Sequence, residues 1–560
     1  MKQLFFTLLL PLALLSCGKT PEASGETPGG ETTLAVPADV RLHSATETSL
    51  TFQWKAVAGA QSYLWKLTLE GQEFKTGTSS QRNCSADGLT PGTTYAFSVC
   101  AKAGEVMGAW SEAISAKTEG TPPDPSAQLQ CVDAPLVLTL DAAPVLGTSG
   151  RVTVYEKGGT EVDRIDLADL DKVNIRPDGV MVPKEQMTGS TAAHTFLDVL
   201  TSGGKTRMVH YTPLRISGNN LVIRLHTGKL DFGKEYYVTV DESVCGKAVA
   251  AGEWTFATKA APSASAIGVN PDGSADFCTL QRALQYAAEG AVITLADGTY
   301  PELLYLRDKK NLTVKGTSRD GSVIAYPNAE AYYPGSSGRP LWLVENCDNL
   351  VLQDLTIHNT YGEQGQAECI YFNSGSNAHK LVIENCALLS LQDTFQTKGE
   401  VYVHGSLIAG NVDFIWGGAK ACLFEDCEIR CLPYQHGGFV IQARVPSASN
   451  VGFVFLNCRI TAGEGAQDGS VYLARANDHS QESSITYDNV TYINCQMASV
   501  IAQVGWYTSP APNPATPSAT AGWKEYGTTG VSTAARNAYG KTLTAEEAAA
   551  YSSRQAVLGW

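Results

Sequence analysis

The chain has 560 residues, a length that predicts about three domains with ample capacity for buried cores. Its 41 Lys and Arg against 56 Asp and Glu leave a net charge of −15, which excludes nucleic acid and anionic membrane surfaces as partners, since both need a basic face. Charged residues make up only 17% beside 53 Gly and 23 Tyr, pointing to a turn-rich β protein, and a hydrophobic content of 43% excludes disorder along the whole chain.

Residues 1–17 carry Lys2, then an apolar run from Leu4 to Leu15 that is short for a membrane span. They end in Leu14-Leu15-Ser16-Cys17, which resembles a bacterial lipobox. The expectation is a signal peptide whose Cys17 becomes a lipidated N-terminus, anchoring the protein in the bacterial cell envelope, at the outer membrane or cell surface; an ordinary signal peptide with an incidental cysteine is the alternative. Residues 18–36, rich in Gly, Pro, Thr and Glu, read as a flexible tether.

From 37 to 120, short alternating runs such as LTFQW (50–54) and YLWKLTL (63–69) between turn clusters predict a β-sandwich. LTPGTTYAFSV (89–99) resembles the tyrosine-corner segment of fibronectin type III domains, with Trp54 and Tyr95 as core residues. The proline-rich GTPPDP (120–125) reads as a linker. Residues 126–262 hold further strand-like runs, among them RVTVYE (151–156), LVIRLH (221–226) and EYYVTVDE (235–242), and predict a second sandwich that resembles bacterial Ig-like modules. Neither sandwich gathers an acid, a base and a nucleophile, so each is expected to be a spacer or a weak carbohydrate contact.

Beyond Ile267 the pattern changes. Leu280, Ala283, Leu284 and Ala287 fall on one helical face, and a long β-rich region comes after them. In it a motif recurs: Asn, Asp or Gly, then Cys, Ser or Leu, then an apolar residue two positions on. Its central residues are Leu355, Cys386, Ser406, Cys427, Cys458 and Cys495, spaced by 31, 20, 21, 31 and 37. The short spacings predict a coil of about 20 residues and the long ones coils with loop insertions, the signature of a right-handed parallel β-helix. The thirteen cysteines after Cys17 are then expected to be mainly buried small hydrophobes rather than a disulfide framework, and none has paired CxxC metal spacing.

In that frame Asp393 follows Cys386 by seven residues, and Asp413 follows Ser406 by seven. The two carboxylates are expected at equivalent positions on adjacent coils, and since neighbouring strands lie about 4.8 Å apart the side chains should be near neighbours. Like charges that close raise one pKa, leaving one acid beside one carboxylate, so that one can attack while the other donates a proton. The same spacing is also that of solvent-facing turn residues.

The segments GTYPE (298–302), GQAECIYF (365–372), LQDTF (391–395), GNVDFIWG (410–417), YLARA (472–476), VGW (504–506), WKEYGTTG (523–530) and LTAEEAAAYS (543–552) together resemble the pectin methylesterase family over residues 267–560. The resemblance implies an ester hydrolase acting on the C6 methyl esters of galacturonate in pectin, releasing methanol and pectate. Carried over by motif, it makes Asp413 the nucleophile, Asp393 the acid and base, Gln366 and Gln392 the oxyanion donors, and Arg475 the group that orients the nucleophile. The bland counterparts are amide ladders for the glutamines and an ordinary ion pair for the arginine. No metal and no organic cofactor is implied, and a monomer is expected.

Two departures stand out. The family's LGRPW reads Leu473-Ala474-Arg475-Ala476-Asn477, so a tryptophan of the sugar-binding wall is missing; Trp416 or Trp506 could supply an aromatic surface instead, or could be packing. Glu368 occupies a commonly apolar position, as an extra polar contact or a coil-edge charge. Three rivals stay open. A β-helix lyase or glycosidase would need a calcium-binding carboxylate cluster or carboxylates spaced for water attack. An envelope ester or thioester hydrolase with a non-pectin substrate fits the missing tryptophan, and a non-catalytic glycan-binding lipoprotein would use the sandwiches. A serine esterase is disfavoured because no GxSxG elbow occurs. The sequence thus predicts an all-β chain, two β-sandwich domains followed by a catalytic parallel β-helix.

Overall fold

The computed structural model describes residues 34–560, apart from 70, 91, 105, 120–128, 176–180, 184–194 and 480–483. The leader 1–17 with Cys17, nearly all of the tether 18–36 and the linker 120–125 lie outside the described residues. The chain divides into two units, residues 1–127 and 128–560.

In the first unit, strands Ser49–Gln53 and Ser62–Leu69 alternate inward and outward residues, the period-2 pattern of half-buried strands. Two antiparallel sheets enclose Phe52, Trp54, Leu67 and Phe97. Phe52 stacks on Phe97 at 3.8 Å, and Trp54 meets the edge of Tyr63. The buried Tyr95 hydroxyl accepts a bond from Thr90 N at 3.0 Å, which ties the strand to the turn before it.

In the second unit, the described residues of 129–258 form a five-stranded sheet, antiparallel except for its parallel edge strand Leu129–Gln130, an antiparallel three-stranded sheet and two two-stranded ribbons, one pairing Leu197–Ser202 with Lys205–His210. This sandwich shares one continuous core with the strands beyond Ala266, running from Val132 through Phe277 to Trp523. Helix Leu280–Tyr286, capped by the Thr279 side chain, buries Leu280, Ala283 and Leu284 beside the first strands of a coil. From Ala266 on, every ladder between named strands is parallel, and the strands form stacked runs with coil after coil in register: a parallel β-helix.

The recurrent motif marks one corner of each coil. Asp354, Asn385, Gly405, Asp426, Asn457 and Asn494 all sit in the left-handed region, φ between 48 and 56, where Gly, Asn and Asp are the least costly residues. The central residues stack as expected: Leu355 O, Cys386 O, Ser406 O, Cys427 O and Cys458 O each accept from the residue after the next motif's centre. All thirteen described cysteines are buried and free. Cys427, Cys458 and Cys495 spend their weak S–H donors on carbonyls of the neighbouring coil at 3.3 to 3.4 Å. Strands Phe395–His404 and Val412–Glu425 pair along their length, with a register shift after Gly399 opposite Ala419 and Ala421; at Gly399 and Gly417 a Cβ would strike the backbone of the adjacent coil at 2.6 and 2.3 Å.

One buried charge works against this packing. Lys524 is fully buried, its Nζ donates to Gly522 O at 2.7 Å, and desolvation pulls its pKa down from 10.5 to about 7. A depressed folded-state pKa gives stability that is present above the unfolded value and lost as pH falls through the folded one. Lys524→Met is therefore expected to stabilise the unit by about 2 kcal/mol or more near neutral pH, with the gain disappearing towards about pH 10. Urea midpoints at the two pH values check this; an equal effect at both would show that the methionine acts by packing alone.

Candidate active site

The stacking that orders the coils also orders the chemistry. Gln366 pairs with Gln392, and Gln392 with Val412, as successive parallel bridges, while Asp393 N donates to Val412 O at 3.1 Å. Gln366 and Gln392 thus occupy neighbouring rungs, and so do Asp393 and Asp413. Both aspartates have positive φ, 65 and 46, backbone conformations costing about 1 kcal/mol each that the flanking coils hold in place. The corner turns each carboxylate out of the strand ladder and into a cleft of about 270 Å³ lined by Gln366, Gln392, Asp393, Asp413, Trp416 and Arg475.

The two aspartates are equally buried but differently partnered. Arg475 Nε donates to Asp413 Oδ1 at 2.8 Å and Oδ2 at 3.0 Å, and its Nη2 also donates to Oδ2. Arg475 is fixed in turn by its backbone bond to Ile441 O and by the Phe439 ring 4.8 Å from its guanidinium. Burial pushes the Asp413 pKa up, and the Arg475 bonds and the charges of Arg475 and Arg444 pull it back. Asp393 is pushed well above the usual carboxylate range, by burial first and then by the charges of Glu368 and Asp413, with Arg339 and Gln366 opposing. Burial and the charge of Glu368, ahead of that of Asp413, favour the neutral form of Asp393, while the Arg475 bonds favour the carboxylate form of Asp413.

The amides are set for donation. Gln364 Nε2 donates to Gln392 Oε1 at 3.2 Å, and the amides of Gln364 and Asn411 bond each other at 3.0 and 3.3 Å. With its oxygen engaged, Gln392 presents its NH₂ as the donor. Gln364, Asn411, Gln442 and Arg444 were not singled out by sequence, because polar side chains at coil edges look alike until the rungs are stacked. Arg444 donates to Gln442 Oε1 at 3.0 and 2.6 Å and lines the same cleft.

The two tryptophans part company. Trp416 lines the cleft, with the guanidinium carbons of Arg444 and Arg339 5.1 and 5.5 Å from its ring centre. Trp506 does not reach the cleft: it is 1% exposed and stacks on Trp523 at 5.5 Å, so its place is the core, and the substrate-contact option for it is corrected to packing. Half-buried aromatic faces do stand beside Arg475, where Phe439, Tyr472 and Tyr507 meet at 5.0 to 5.9 Å. Glu368 is not a coil-edge charge. It is fully buried and bound by Arg339, a residue that no local sequence pattern distinguishes.

A family model described as pectinesterase matches residues 266–559, and a fibronectin type III model matches residues 35–117. Pectinesterase 31 of Arabidopsis thaliana is 31% identical over 258 residues, 43% of this chain and 76% of that protein. Pectinesterase QRT1 of the same plant is 28% identical over 257 residues, 43% of this chain and 63% of that protein, so the match spans under two thirds of its length. Among solved structures, a pectin methylesterase from carrot is 24% identical, with 52% of this chain and 92% of that chain covered and a TM-score of 0.47.

Proposed function

The chain belongs to the pectinesterase family of carboxylic ester hydrolases, and from that premise we propose that it hydrolyses the C6 methyl esters of galacturonate units in pectin. The observation that carries the reading is the asymmetry of the paired carboxylates: Arg475 binds Asp413 through both oxygens, whereas Arg339 reaches only Oδ2 of Asp393, whose pKa burial and the charges of Glu368 and Asp413 push up.

In this reading Asp413 attacks the ester carbonyl, and the developing oxyanion takes hydrogen bonds from the amides of Gln366 and Gln392. Asp393 gives its proton to the departing methanol, whose conjugate base is too basic to leave alone. The Asp393 carboxylate so formed takes a proton from water, which attacks the acyl-enzyme anhydride, and Asp413 leaves as a carboxylate held by Arg475. The product is the free galacturonate acid. The half-buried faces of Phe439, Tyr472 and Tyr507, together with Trp416, offer apolar surface for sugar rings where Ala476 and Asn477 stand in place of the family's Pro-Trp.

The test is methanol release from highly methyl-esterified linear homogalacturonan by a soluble chain starting after Cys17. Release with a matching rise in free carboxylate is expected. No release from folded protein would sink the pectin reading for linear substrate and turn attention to branched pectin or another ester.

A further inference from the structure

We propose that Arg339 and Glu368 form a charge-compensated positioning pair for Asp393, fixing the orientation of its carboxyl and keeping it protonated; this rests on the catalytic reading above. Arg339 has a 6% exposed side chain and lies in the loop before strand Trp342–Glu345. Its Nε donates to Glu368 Oε1 at 2.8 Å and Oε2 at 3.0 Å, its Nη2 to Asp393 Oδ2 at 3.0 Å, and its Nη1 to Glu330 Oε2 at 2.9 Å. One guanidinium therefore grips a carboxyl on each of two neighbouring coils.

The charge count makes the pair more than a clamp. Asp393 is faced by Glu368 and Arg339 on one side, with Glu330 behind Arg339, and by Asp413 with Arg475 on the other; Arg444 and Asp478 lie farther round the cleft. If Arg339 met Asp393 alone, a buried arginine would pull it down to a carboxylate and remove the acid. Glu368, with 0% exposure and two bonds to Arg339, takes up that positive charge instead. Burial pushes Glu368 itself up to about 7, held back by Arg339, and Glu330 is too exposed at 40% to substitute for it. Because Arg339 occupies Oδ2 of Asp393, the transferable proton sits on Oδ1.

The arrangement reaches back to the two-stranded ribbon of residues 197–210. Arg207, on strand Lys205–His210, donates to Gly338 O at 3.0 Å and Pro340 O at 2.5 Å, the carbonyls on either side of Arg339. Asn328 bonds the same two carbonyls at 3.0 Å, and His210 stacks on Tyr333 of the same loop at 5.3 Å. Leu341 N then donates to Glu368 O at 2.8 Å, so the loop is fastened at both ends of the pair. This gives residues 129–258 a part in aligning the acid.

The experiment compares kcat and KM for methanol release across pH for the full chain, Glu368→Gln and Arg339→Met/Glu368→Met. Glu368→Gln is expected to move the alkaline limb of kcat down by about 1 to 2 pH units, with KM little changed, because Arg339 then ionises Asp393. The double variant removes both charges together, which buried pairs tolerate. It should keep the limb at or above the wild-type pH while kcat falls about 10- to 100-fold from lost alignment. An unmoved limb in Glu368→Gln, or wild-type kcat in the double variant, overturns the proposal. The infrared C=O band of a protonated carboxyl, assigned by its loss in Asp393→Asn, reads the same shift without turnover. Absence of methanol release by the wild type would thus count against the reaction, and a band unaltered by Glu368→Gln against the pair.

Discussion

Asp413→Asn is expected to reduce kcat for methanol release by on the order of 10^4- to 10^6-fold while leaving the folded structure in place. An amide oxygen of the same shape cannot form the acyl anhydride, so the change removes bond formation and little else. Asparagine is the better probe than alanine because φ at this position is 46, a region that Asn enters far more readily than Ala, and because its carbonyl still accepts a bond from Arg475. Alanine would add backbone strain of about 1 to 2 kcal/mol to the chemical loss. KM should change by less than about threefold, since the nucleophile adds little ground-state binding. A folded Asp413→Asn protein that still turns over at more than about 1% of the wild-type rate would overturn the assignment, because Asp393, the carboxyl on the neighbouring rung, is taken up as the acid and cannot also attack. The pH profile carries the sign. Asp413 must be ionised, burial raises its pKa, and activity should fail as pH drops through a value above the usual 3.8 for aspartate.

What could be read in advance was whatever repeats. The left-handed corner favours Asn, Asp or Gly at one position per coil, and the interior takes Cys, Ser or Leu beside it, so the coil boundaries are written in residue type. Counting from those corners places Asp393 and Asp413 on adjacent rungs. What could not be read lies off the repeat. Arg339 comes from a loop inserted between Tyr326 and Trp342, and its three carboxylate partners are 9, 29 and 54 residues away. Glu368 was visible as an anomaly, an acid where an apolar residue is usual, yet only the buried arginine opposite explains it. The tryptophans show the same limit in reverse. Trp416 and Trp506 look alike in sequence, and the cleft takes one while the core takes the other: Trp506 bridges to Ala474 and its ring stacks on Trp523. That residues 129–258 share the core of the β-helix was hidden too, since inter-module packing leaves no periodicity within either module.

Asp393→Asn is expected to separate the two halves of the reaction. With a methyl ester, acylation needs a proton for methanol, and kcat should fall by about 10^2- to 10^4-fold, the usual worth of a general acid. With a phenyl ester of the same sugar acid, the phenolate leaves without help, so attack by Asp413 should proceed. Water then meets an acyl-enzyme with no base beside it. The expected trace is a burst of about one phenol per chain followed by a stall, as when a covalent intermediate accumulates. Mass analysis should find the adduct on the peptide bearing Asp413. The substitution is conservative in structure, since Asn tolerates the φ of 65 and its carbonyl keeps an acceptor for Arg339 Nη2. The alkaline limb of the profile should vanish with the titrating acid, and the acid limb set by Asp413 should remain. Steady phenol release at the wild-type rate without an adduct would remove Asp393 from both steps. A burst that appears in Asp413→Asn as well would move the nucleophile elsewhere. The asymmetry between the two variants, one blocked before the adduct and one after it, is what distinguishes a nucleophile from its acid when both are aspartates on neighbouring rungs of one ladder.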